Sequence, residues 1–142
     1  MVKKILLTIA TLVSCVVGFE NPLGGKNSTT IGIVLFPGFE ELDVFGPRTI
    51  LSFNKLYMIG EKPGIIRSNA GTYLKVDYHF QNHPNFDVLM VPGGVLETTP
   101  PVTEFIKKSA EKAKIVLTVC TGAGLLAKTG LLDGLEATTN KQ

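Results

Sequence analysis

Three stretches of this sequence are short runs of apolar and β-branched residues with almost no alternation: TIGIVLF at 30–36, FDVLMVPGG at 86–94 and KIVLTVC at 114–120. A strand with one wet face alternates apolar and polar residues. A run that does not alternate is the pattern of a parallel strand covered on both faces by helices. Helical patterns stand between these runs. In PGFEELDVFGPRTILSF (37–53), Leu42, Phe45, Ile50 and Leu51 are expected to line one helix face, with Pro47 kinking or breaking it. Thr99 is expected to cap a helix starting at Pro100, whose Val102, Phe105, Ile106, Ala110 and Ala113 share a face. LYMIG (56–60) reads as a further strand, and residues 64–80 read as a hairpin turning at Asn69-Ala70-Gly71. TGAGLLAKTGLL begins a last helix after Cys120. This alternation predicts an α/β fold, a doubly wound and mostly parallel sheet with helices on both sides. At 142 residues, 44% hydrophobic and 18% charged, the chain suits one such domain and is too short for two.

The first 25 residues read differently. The basic MVKK, an apolar run from Ile5 to Phe19 and then small and polar residues have the layout of a signal peptide with its linker. The apolar run spans 15 residues, fewer than the ~20 of a membrane-crossing helix. Within it, LVSC (12–15) resembles a bacterial lipoprotein box, which would make Cys15 a lipidation site; cleavage near Gly18 is the other outcome. The expected layout is therefore a leader and linker over 1–25 and the folded domain over 26–142. The expected location is outside the cytoplasm, as a periplasmic, secreted or lipid-anchored protein that touches the membrane only through its signal or anchor. Loss of Lys3 and Lys4 takes the 14 basic residues to 12 against 12 acidic ones, so no basic stripe points to nucleic acid.

Cys120 stands where a buried strand gives way to a helix. A thiol there is held rigidly, and the free N–H groups of the following turn favour a thiolate. Thr121, Gly122 and Ala123 are small enough to let a substrate approach, and the Thr121 N–H can hold a developing negative charge. Gly93 and Gly94 follow a parallel strand, where a backbone N–H can supply a second oxyanion donor. Asp43, set among Leu42, Val44 and Phe45, is expected to be drawn inward with a raised pKa and to move protons, while Glu40 and Glu41 are expected to be solvated. A structural cysteine at a strand end and a helix-capping aspartate fit the same residues. His79 and His83 are expected at the surface, and no metal-ligand spacing is present.

Taken together, IVLFPGFEELDVFGP, PGIIRSNAG, FDVLMVPGG, VLTVCTGAGLLAKTGLLDG and ATT resemble, in order and spacing over about residues 30 to 140, the ThiJ/PfpI superfamily. The likeness is strongest to its isonitrile hydratase branch. The resemblance implies a flavodoxin-like, class I glutamine amidotransferase-like fold, whose last strands and closing helix this chain does not reach. It implies that Cys120 is the nucleophile, Asp43 its partner carboxylate, and Thr121 and Gly94 the oxyanion positions, with no cofactor and a homodimeric assembly. It departs from many relatives in carrying Asn140 where they have a histidine after the ATT threonines. The function this favours is a cysteine-dependent hydratase or hydrolase of a small molecule, of the isonitrile hydratase type. The alternative is a non-catalytic ligand-binding, chaperone or oxidative-stress protein of the same superfamily.

Overall fold

In the computed structural model, the described residues are 5–8, 29–95 and 97–139. Cys15, most of the expected leader and Asn140 lie outside them. The apolar runs form the sheet. The strands β1 (Ile5–Thr8), β2 (Thr30–Val34), β3 (Lys55–Gly60), β6 (Tyr78–His79), β7 (Val88–Val91) and β8 (Ile115–Val119) are ordered β1-β8-β7-β2-β3-β6, all pairs parallel. The short strands β4 (Ile65–Arg67) and β5 (Tyr73–Lys75) pair antiparallel around the expected turn.

Helix α1 (Glu41–Ile50) links β2 to β3, and α2 (Pro100–Lys112) links β7 to β8. The two crossovers run in opposite directions along the sheet, so right-handed connections place the helices on opposite faces. The direction reverses between β2 and β7. In doubly wound sheets the crevice at the carboxyl ends of such strands is where ligands bind. The core lies between the layers: Ile31, Ile33, Leu89, Met90, Ile106, Leu125 and Leu126 are all fully buried. At the other end of the strands Asp87 ties three of them together. Its carboxylate accepts from the Thr30 N–H and hydroxyl at 3.0 and 2.8 Å and meets Lys114 Nζ at 2.7 Å. These contacts hold it down at about pKa 2, the Lys114 hydrogen bond contributing most.

Some local expectations need correction. The α1 face expected to pack inward is split: Leu42 and Ile50 are 74% and 73% exposed, Phe45 is half-buried, Leu51 packs against the core, and Asp43 and Val44 are the buried pair. The helix continues through Pro47, because the proline carbonyl still accepts from the Leu51 N–H. Thr99 occupies the N-cap of α2 without capping it; its hydroxyl donates to Glu61 Oε2 at 3.1 Å. The expected inward face of α2 holds throughout, with Val102, Phe105, Ile106, Ala110 and Ala113 buried. His79 and His83 are half-buried rather than superficial, and His83 stacks on Phe86.

The strand β1 falls inside the segment expected to be a leader, and its backbone pairs with β8. Processing after Ser14 or Gly18 would remove it and leave β8 at the edge of the sheet. Among the described residues, no helix is long and apolar enough to cross a membrane.

Candidate active site

The site grows from the ends of β2, β7 and β8. After β7 the chain turns through Pro92, Gly93 and Gly94, and Gly94 bridges to Phe39 in the loop after β2. The Glu40 N–H donates to the Gly93 carbonyl at 2.9 Å, which fixes the start of α1 against this turn. That places Asp43, in the first turn of α1, beneath the two glycines.

Beyond β8 the backbone at Cys120 has φ +52°, the one non-glycine residue with positive φ among those described. A side chain in this region is strained, and such strain typically marks a nucleophile elbow between strand and helix. Thr121 follows, and the six-residue helix α3 (Gly122–Ala127) begins at once. A Cβ on Gly122 would run into the Val91 carbonyl oxygen, so only glycine lets this turn press against the end of β7. Thr139, in the ATT segment, donates from Oγ1 to the Cys120 carbonyl at 2.8 Å and braces the elbow from behind.

All the expected site residues within the described region meet here. The Gly93 N–H donates to Asp43 Oδ2 at 3.0 Å, and the Cys120 side chain lies close enough to the same carboxyl to influence its titration. Burial pushes the Asp43 pKa up. The Gly93 N–H opposes that shift, the neighbouring Glu40 charge adds to it, and the nearby Cys120 side chain opposes it, leaving the carboxyl above its ordinary value. A Cβ on Gly93 would stand 2.6 Å from Asp43 Oδ2 and 2.9 Å from the Thr121 nitrogen. Glycine there keeps open the space on which the carboxyl and the Thr121 N–H converge.

Gly94 carries a qualification to the expected oxyanion hole. Its N–H donates to Thr121 Oγ1 at 3.0 Å, and the Thr121 hydroxyl donates back to the Gly94 carbonyl at 3.2 Å. An anion formed near Cys120 must draw the Gly94 N–H away from that hydroxyl before using it.

The glutamates expected to be solvated are structural. Glu41 accepts from the Ser68 hydroxyl and from the Thr72 N–H at 3.1 Å, contacts that lower its pKa. Glu40 accepts from the Asn69 side-chain amide. Together they tie the β4–β5 turn to the start of α1, beside the site. Sequence alone hides this pairing, since the partners lie 27 and 29 positions apart. Among the described residues, no cluster of histidine, cysteine and carboxylate side chains could hold a metal ion.

Comparison with known proteins agrees with this geometry. The model of the DJ-1/PfpI family matches residues 29–142. The chain is 34% identical over 117 residues to isonitrile hydratase of Pseudomonas putida, covering 78% of this chain and 51% of that protein. It is 32% identical over 121 residues to an uncharacterised Streptomyces lividans protein, covering 78% of this chain and 86% of that one. A ThiJ/PfpI family protein from Pseudomonas syringae superposes with a TM-score of 0.71 at 24% identity, over 84% of this chain and 55% of the other. The chain therefore spans about half the length of the hydratase it matches.

Proposed function

The chain belongs to the DJ-1/PfpI family, and from that footing we propose that Cys120 is the nucleophile of a hydratase or hydrolase acting on a small molecule. The observation that carries the proposal is the meeting of a strained cysteine, a buried carboxyl and a glycine amide at one point. The 34% identity to isonitrile hydratase supports an isonitrile as the substrate.

On this reading the Cys120 thiol adds across the terminal carbon of the isonitrile: its sulfur bonds to that carbon while its proton passes through the Asp43 carboxyl, whose pKa burial raises, to the same carbon. The product is a thioformimidate. Water then adds to that carbon, its proton passing through Asp43 to the imine nitrogen. Collapse of the adduct breaks the carbon–sulfur bond and releases an N-substituted formamide, so one water is consumed and the thiol is regenerated. Charge that develops in these steps faces the Thr121 N–H and, once its hydroxyl partner yields, the Gly94 N–H. No cofactor is required by this sequence of steps. We extend the proposal to a homodimeric assembly.

The test is incubation of the purified chain with a simple alkyl isonitrile, following formamide by NMR, alongside Cys120→Ala. Formamide from the parent and none from the variant supports the proposal. No formamide from a folded, unmodified parent, when a separate sample shows its Cys120 to be reactive toward iodoacetamide, would sink the hydratase and favour the ligand-binding alternative.

A further inference from the structure

A second concavity lies away from the Cys120 turn, between the segment after β6 and the last two turns of α2. Its volume is about 150 Å³, and none of Asp43, Gly94, Cys120 and Thr121 lines it. Its walls are rings: Phe80, His83, Phe86 and Phe105. Phe80 and Phe105 stack with centroids 4.1 Å apart and planes 6° from parallel. His83 lies over Phe86 at 5.1 Å and meets Phe105 edge-on at 5.3 Å. Phe86 and Phe105 are 8% and 6% exposed, so core packing fixes their orientation.

The rim has one sign of charge. Lys108 and Lys112, one helical turn apart on α2, both line it, and no carboxylate residue does. Lys108 is shared with Glu104 at 2.6 Å, whereas Lys112 has no carboxylate within 4.0 Å among the described residues. The buried Ser109 adds a hydroxyl-bearing residue to the wall between them.

A cavity of roughly 150 Å³ lined by apolar side chains is the size that accepts one benzene ring. Here ring faces and edges of set orientation favour an aromatic guest over an aliphatic one. Two ammonium groups at the mouth favour a guest with an anion at one end. We propose that this concavity binds a small aromatic carboxylate of benzoate size, ring inward and carboxylate toward Lys112 and Lys108. The site is independent of the reaction at Cys120. A guest this small, held by one ring and one exposed ion pair, binds with a Kd on the order of 1 mM.

The test is an amide NMR titration of the full chain with benzoate, repeated with cyclohexanecarboxylate and with benzylamine. The expected result is saturable shifts at Phe86, Ser109 and Lys112 with Cys120 and Gly94 unmoved, and binding of both other probes weaker by about tenfold. The charge-reversed variant Lys108→Glu/Lys112→Glu alters exposed side chains only and should weaken benzoate at least tenfold while leaving the rest of the spectrum in place. Equal affinity for cyclohexanecarboxylate, unchanged affinity in the variant, shifts confined to the Cys120 turn, or no saturation would each overturn the proposal.

Discussion

The Gly93 N–H donates to Asp43 Oδ2 at 3.0 Å, joining residues 50 positions apart in the chain. The bond aims the carboxyl while burial raises its pKa, so orientation and proton affinity have separate sources.

Asp43→Asn separates the two. The amide oxygen still accepts from Gly93, but the side chain no longer exchanges a proton, so turnover should fall about 100-fold or more. Stability should move the other way. A carboxyl whose pKa is raised by folding contributes fully below its unfolded pKa and loses that contribution as pH rises through the folded value. The variant should therefore be more stable than the parent at pH 7, with the gap closing as pH is lowered through the ordinary aspartate range. Urea unfolding at several pH values checks both sign and window.

Thr121→Val removes the acceptor of the Gly94 N–H from a residue only 3% exposed. The orphaned amide should cost about 1–3 kcal/mol of unfolding free energy, and Thr121→Ser should restore most of it. A neutral valine variant would mean that the Gly94 amide finds another partner at no cost.

Cys120→Gly should stabilise the protein by about 1 kcal/mol, because glycine accepts φ +52° without strain, whereas Cys120→Ala should not. Denaturant midpoints of the two variants give the comparison directly.

Asp87→Asn acts at the opposite end of the strands. The charge-assisted bonds to Thr30 and Lys114 should be worth about 1 kcal/mol at neutral pH after allowance for solvent screening. A carboxylate lowered to about 2 contributes above its unfolded pKa and loses the contribution as pH falls through the folded value. The penalty of the variant should thus vanish near pH 2, as thermal unfolding across acid pH would reveal.

Export is the remaining proposal on the chain's ends. The family match begins at residue 29, which supports reading residues 1–25 as a leader, while the pairing of β1 with β8 draws Ile5–Thr8 into the sheet of the unprocessed chain. Expressed in a bacterial host, the protein should appear outside the cytoplasm with a mass lacking at least the first 14 residues. Acyl chains on Cys15 would identify a lipoprotein, and an intact Met1 in the cytoplasm would refute processing.

The sheet and the Cys120 turn were legible because their signals are local. Unalternating apolar runs mark covered parallel strands, and a cysteine between such a run and small residues marks an elbow. Gly93, Gly94 and Asp43 could be placed because each follows a strand at the same edge. What stayed hidden is set by tertiary pairing. The outward turn of Leu42 and Ile50 depends on Asp43 being pulled in beneath Gly93, and a polar residue taking a core position reverses what apolar counting expects. Glu41–Ser68, Asp87–Thr30 and the Thr139 brace on Cys120 join segments 27, 57 and 19 residues apart, which no periodicity encodes.

Gly122 leaves no room between the first turn of α3 and the Val91 carbonyl. The consequence is mechanical. The thiol-bearing turn and the Pro92–Gly94 turn cannot slide past one another, so thermal motion moves them as one block. Opening of the site should then be an all-or-none event, in which the Gly93 and Gly94 amides lose hydrogen-exchange protection together with a shared opening free energy.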